Sequence, residues 1–304
     1  MLRLDVRNLQ CIYNQWGPST RLCLRLSRYP KREHSHETKV IQAAVDFIKS
    51  APTTSQVNIL MLSHILFKME PEGDTEELRQ SLIGYIATDR IKNIILYAAA
   101  EAEAHERIRF YLAISKQPGF RQTAGKMFED LVLSWFYGHS NGHMPCFAAQ
   151  DNSSLQIPAC GEDHTVFMGS KSAVQNAIRA KTLPLLLLPL SPAYRTADAI
   201  VLTEDFIITI QVTIADNHSV APSGFAFIEE YLPSVTKQWC HVFISDNENG
   251  AASLRSQTLN DLPSRIRIYS AVFDVGTPSI VRKHVEEFNN RKVSVSLAAR
   301  DWCL

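Results

Sequence analysis

The chain has 304 residues, 45% of them hydrophobic, with 31 basic and 31 acidic side chains and a formal net charge of zero. That length suits roughly two domains of about 150 residues each, with enough apolar material for a sizeable core. Neutrality excludes a global basic field of the kind that draws nucleic acid to a whole protein. The six cysteines lie far apart, which reads as free thiols in an intracellular protein, the nucleus included, rather than as a disulfide framework. Charges interrupt the opening MLRLDVRNLQ, so it is not read as a signal peptide. The longest apolar stretch, 183–190, is broken by Pro184 and Pro189 and is too short to cross a bilayer, so no membrane partner is expected.

The first 32 residues are locally basic. Arg3, Arg7, Arg21, Arg25, Arg28, Lys31 and Arg32 face Asp5 alone. Such a run is either a solvated helix face or a phosphate-facing patch. Val40, Ile41, Ala44, Val45 and Ile48 recur at helical spacing, and Pro52 ends that run. A short strand is expected at 63–69. A helix is expected over 89–104, with Ile91, Ile94, Ile95 and Ala98 on one face and Thr88 as cap. The turn-like Lys116, Gln117, Pro118, Gly119 marks a domain boundary, giving a mainly helical region 1–118 and an α/β domain 119–304.

Phe128, Leu131, Val132, Trp135 and Phe136 make the apolar stripe of a helix over 121–137. The polar, glycine-bearing stretch 138–161 reads as a long loop. Strands follow at 184–190, 198–202 and 206–214, then a helix at 225–235, strands at 240–244 and 265–273, and a last helix at 279–289. Helix, three strands, helix, strand defines a layered α/β domain.

Three positions stand out chemically. On its helix, Glu129 leans toward the apolar side while Asp130 faces water; a carboxylate there either snorkels beside the core or needs a cation or hydrogen bonds. Asp198 opens a buried strand, as a turn cap or as a metal ligand. The strand 206–214 places Ile207, Thr209, Gln211 and Thr213 on one face; its three consecutive polar residues need internal partners or a cleft. His139, His143, Cys146, Cys160 and His164 offer zinc-type ligands, but without the close paired spacing of structural zinc sites.

Taken in order, Gly125-Lys126-Met127-Phe128-Glu129, Ala197-Asp198-Ala199 and Gln211-Val212-Thr213 followed by His218 resemble one branch of the PD-(D/E)XK nuclease superfamily. That branch is the C-terminal domain of crinkler-like effectors and retrotransposon hot spot proteins. The resemblance spans about 119–304 and implies a restriction-endonuclease-like three-layer α/β domain with a mixed central sheet. It further implies a catalytic group of Glu129, Asp198, Gln211 and Thr213, with Glu129 and Asp198 as ligands of Mg²⁺. Gln211 stands where the family has its second acid, and Thr213 where it has its lysine. Lys126, Lys237 and His218 are the candidates to replace that lysine. Upstream, Trp16-Gly17-Pro18-Ser19-Thr20-Arg21 resembles the motif closing the P-loop NTPase domain that precedes this nuclease domain, with Arg21 as the nucleotide-sensing arginine. No GxxxxGK[ST] occurs in the chain, so no ATP is expected as cofactor. The resemblance thus implies a degenerate nuclease-like module binding DNA or protein, or alternatively an active Mg²⁺-dependent DNA endonuclease.

Overall fold

The computed structural model describes residues 5–50, 65–71, 82–138, 142–148, 153–190, 196–215, 220, 222–232, 237–257 and 265–275. These divide into two compact units, with the boundary between Ala124 and Gly125. His139, His218, Cys303 and the helix expected at 279–289 lie outside the described residues.

The first unit is mainly helical. Its elements are α1 (Val6–Trp16), α2 (Thr20–Arg28), α3 (Glu33–Ser50), a hairpin of β1 (Phe67–Pro71) and β2 (Leu82–Ile86), α4 (Asp89–Glu101) and α5 (Ala104–Ile114). Sequence-level capping sets several ends. Asp5 accepts from the Arg7 and Asn8 amides at the start of α1, and the Thr88 hydroxyl accepts from the Ile91 amide at 3.2 Å. Gly17 closes α1 at φ +94°, a backbone conformation that favours glycine. The edge-to-face rings of Phe47, Phe67, Phe110 and Phe120 form an aromatic core. The turn expected as the domain boundary belongs to this unit. Gly119 lies so close to Gly84 that a Cβ there would sit 1.8 Å from the Gly84 carbonyl oxygen.

The second unit opens on α6 (Arg121–Gly138), whose last fourteen residues it contains. It continues with β3 (His143–Ala148), β4 (Ser154–Pro158), β5 (Thr165–Met168), α7 (Lys171–Ala180), β6 (Leu185–Pro189), β7 (Ala199–Leu202) and β8 (Phe206–Val212). It closes with α8 (Pro222–Tyr231), β9 (Gln238–Ser245), α9 (Glu248–Gln257) and β10 (Ile266–Val272). One mixed sheet runs β4-β3-β10-β9-β8-β7-β6-β5. The β5–β6, β8–β9 and β9–β10 pairs are parallel and the others antiparallel.

Both faces of the central strands are buried, which is why β7, β8 and β9 read as nearly unbroken apolar runs. One face carries Leu187, Ile200, Ile207, Trp239, Phe243 and Ile268 against Val174 of α7, Phe225 and Ile228 of α8, and Leu254 of α9. The opposite face meets α6, where Phe128 stacks edge-on against Phe273 with ring centroids 6.2 Å apart. The result is a three-layer α/β architecture with a mixed central sheet.

The loop expected over 138–161 is replaced by the β3–β4 hairpin. Its burial alternates strictly: Met144, Cys146, Ala148, Leu155 and Ile157 point inward, and His143, Pro145, Phe147, Ser154 and Gln156 outward. A period of two was present in the sequence. Small and sulfur-bearing inward residues, in place of β-branched ones, obscured it. Strands β2 and β5 and helices α5, α7 and α9 are further elements that the sequence pattern does not mark.

Helix α8 reaches the sheet through Gly224. A Cβ at that position would lie 1.7 Å from the Thr196 hydroxyl oxygen, and Thr196 is fully buried two residues before Asp198. Gly224→Ala should therefore destabilise the protein by about 1–3 kcal/mol through overpacking. Urea unfolding of the variant beside the parent measures this; an unchanged midpoint would show that α8 does not approach Thr196 so closely.

Candidate functional site

The candidate site begins with how α6 and the ends of β7 and β8 are placed. Gly125 of α6 faces the Ile214 side chain just past β8, where an added Cβ would be 3.7 Å from Cγ1. The first turns of α6 within this unit thus pass the end of β8. Lys126 and Glu129 share one helix face at i, i+3 spacing. The Lys126 ammonium donates to Glu129 Oε1 at 2.5 Å, and both side chains are partly buried.

Asp198 sits where β7 begins. Its backbone amide donates to the Ile210 carbonyl at 2.8 Å, and its carboxylate Oδ2 accepts from the Val212 amide at 2.7 Å. The side chain thus takes an acceptor position in the β7–β8 ladder that a backbone carbonyl would otherwise fill. This is a structural role that any chemical role must share.

Glu129, Asp198 and Lys126 interact electrostatically. Burial raises the Asp198 pKa most, and the Glu129 charge raises it further. The Val212 amide and the Lys126 ammonium oppose the shift, and the net value is up to about 7. For Lys126, burial is the largest influence and pulls the pKa down. The combined charges of Glu129, Asp130 and Asp198, with the Glu129 hydrogen bond, outweigh it, and the pKa is raised. Lys126 is therefore a cation at neutral pH, while Asp198 is poised to gain or lose its proton there.

Gln211 is buried on β8, 4% exposed. Thr213 donates its backbone amide to the Ile244 carbonyl at 3.0 Å, and its hydroxyl accepts from the Ala215 amide at 3.0 Å. It closes a local turn and brings no charge. Thr209, two residues before Gln211, is 2.8 Å from His241 Nδ1 and donates to the Cys240 carbonyl at 3.1 Å. Thr209 and Thr213 therefore have internal partners. His241 was not singled out by sequence. It is a fully buried imidazole on β9, edge-on to Phe225 and Phe243 at 5.4 and 4.7 Å, and its only signal was a polar letter inside QWCHVFIS.

Of the candidates to replace the lysine, Lys126 lies beside the carboxylates, while Lys237 donates to the Thr203 carbonyl in the turn at the other end of β7. His218 lies outside the described residues. The zinc-type residues do not gather: among the described residues no group of three or more His, Cys, Asp or Glu is placed to hold a metal ion. Cys146 is buried in the sheet, where desolvation pushes its thiol far up, and Cys160 is raised to about 12 by the same cause. His164 Nδ1 instead lies 3.0 Å from the Pro184 carbonyl oxygen. The five cysteines among the described residues are free thiols. No helix among the described residues is long and apolar enough to cross a membrane.

Mg²⁺ commonly takes one or two carboxylates and keeps several waters. Here the Glu129–Asp198 pair offers that number, but the Lys126 ammonium occupies Glu129 Oε1 and the Val212 amide occupies Asp198 Oδ2. These residues suit an internal ammonium better than a divalent ion. No family model, no curated protein and no solved structure matches the chain.

A buried carboxyl whose pKa is raised on folding costs stability once the unfolded chain ionises. For Asp198 the cost is absent below about pH 4, grows as the pH rises from 3.8 toward 7, and is complete above 7. Asp198→Asn keeps an oxygen for the Val212 amide and removes the charge. The variant should match the parent near pH 4 and exceed it by about 1–3 kcal/mol at pH 8, as read by urea unfolding at the two pH values. A variant less stable than the parent at pH 8 would mean that the carboxylate is there a net stabiliser.

Proposed function

We propose that the second unit is a degenerate restriction-endonuclease-like domain of the crinkler and retrotransposon hot spot type, acting by binding nucleic acid or protein rather than by cutting phosphodiesters. The observation that carries this reading is the cluster at the β7–β8 end: Glu129 is neutralised by Lys126, and the neighbouring strand supplies neutral Gln211 and Thr213. Phosphodiester hydrolysis needs charge neutralised at the attacked phosphate and a water made nucleophilic. An ammonium already bound to one of two carboxylates leaves little free charge to collect a metal. A mixed sheet with α6 across one face and the acid pair at a strand end supports the domain type.

A second reading, an active Mg²⁺-dependent DNA endonuclease, draws on the same lysine. Lys126 places an ammonium beside the acid pair and so supplies the charge that Thr213 lacks. In that reading Lys126 positions the phosphate, and Glu129 and Asp198 are the metal ligands.

Plasmid cleavage in excess Mg²⁺, paired with Mg²⁺ titration calorimetry, separates the two. The degenerate reading expects background cleavage by the parent. It also expects measurable gain of Mg²⁺ binding in the double variant Gln211→Glu with Thr213→Lys, which restores an acid and an ammonium. Robust cleavage by the parent, lost by about 100-fold or more in both Lys126→Met and Asp198→Ala, would establish the endonuclease instead.

A further inference from the structure

The first unit carries a charge arrangement that its own fold does not require. Arg21, Arg25 and Arg28 recur at i, i+4 and i+7 along α2, a single exposed stripe opposite the buried Cys23 and Leu26. Lys31 and Arg32 extend it through the 3₁₀ turn Pro30–Arg32, and both are exposed. From residue 6 to residue 32 the sequence contains no acid. Among the described residues none of these five cations is ion-paired to a carboxylate; the nearby ion pair of this unit, Arg90 with Glu37 at 2.7 Å, belongs to other elements.

Helix stability does not account for the stripe. Arg25 and Arg28 in the last turn suit the helix dipole, but Arg21 stands in the first turn, where a cation opposes it. Like charges at i, i+3 and i, i+4 also repel. The positive field reaches α3: after burial, the charges of Arg25 and Lys39 are the next causes holding the His36 pKa down. Tyr29 is 54% exposed beside the stripe, with the Arg32 guanidinium 4.8 Å from its ring centroid.

We propose that the Arg21–Arg25–Arg28 face of α2, continued by Lys31 and Arg32, is a docking surface for the phosphate backbone of duplex nucleic acid. Arginines three and four residues apart advance about 4.5 and 6 Å along a helix, a spacing that lets successive guanidinium forks engage successive phosphates of one strand. Such contacts fix position without reading sequence. An anionic bilayer suits the face less well, because interfacial helices need a free apolar side to insert. On α2 Cys23 and Leu26 are buried and Leu22 and Leu24 are half-buried. The surface is independent of the Glu129–Asp198 site, and its test reads binding in EDTA with no cleavage step.

The test is fluorescence anisotropy of a labelled duplex DNA with the full chain, over a series of KCl concentrations. Four to five phosphate contacts give a slope of log K against log salt near about −4. Replacing Arg21, Arg25 and Arg28 together by Gln, a good helix former, should weaken binding at least about tenfold at low salt and flatten the slope by about 2.7. Lys31→Gln with Arg32→Gln, outside the helix, should flatten it by about 1.8, and this covers the case in which the triple variant does not fold. An unchanged affinity and slope in a folded triple variant overturns the proposal. So does retention of the full slope by the Lys31/Arg32 pair variant. Absence of duplex binding, with arginine-dependent binding to vesicles containing phosphatidylserine, overturns it in favour of a membrane surface.

Discussion

The candidate site of this protein turns on the burial of a carboxyl group beside another carboxylate. Asp198 is held at the start of β7 by the Val212 amide, with the Glu129 charge close enough to push its proton affinity up and the Lys126 ammonium close enough to oppose that push. Desolvation of a charge is costly unless it is paired and hydrogen-bonded, and here the Val212 amide and the Lys126 ammonium offset only part of that cost. Removing Lys126 takes the nearby cation from both carboxylates, and removing Glu129 relieves Asp198 but takes from Lys126 its Glu129 hydrogen bond. The passage of α6 by the end of β8, where Gly125 lies beside Ile214, brings Lys126 and Glu129 into the field of Asp198. A carboxyl poised near neutrality is also the kind of group that active sites collect.

Much of the second unit was legible from periodicity. Strands β7, β8 and β9 are nearly unbroken apolar runs because both of their faces are buried, and such runs are hard to mistake when β-branched residues fill them. The β3–β4 hairpin escaped because its inward residues are Met144, Cys146, Ala148, Leu155 and Ile157, only one of them β-branched, and because Pro145 and Gly142 lie among them. Pro145 is tolerated since β3 pairs with β10 through only Ala148 and Phe147. Helix α7 was missed for another reason. Its polar faces, with only Val174 fully buried, give a short amphipathic segment that local propensity does not separate from a loop.

At the site, helix geometry alone pointed to Glu129 as the inward-leaning acid and left Asp198 open between cap and ligand. The geometry gives Asp198 the ladder-capping contact and also places it in the field of Glu129. The helical i, i+3 relation of Lys126 to Glu129 was visible in the sequence. Its proximity to Asp198 was not, because that depends on the approach of α6 to β8, a long-range packing relation that no local pattern encodes. The partners of Thr209 were equally hidden, since His241 comes from a strand 32 residues away.

The central claim, that Lys126, Glu129 and Asp198 form one electrostatic unit, is tested most directly by following the Asp198 carboxyl carbon by NMR as a function of pH. The parent should titrate near 7. Lys126→Met should move the midpoint higher by removing the nearby cation, and Glu129→Gln should move it lower by removing the nearby anion. A midpoint near 4 in the parent, indifferent to both substitutions, would contradict the account.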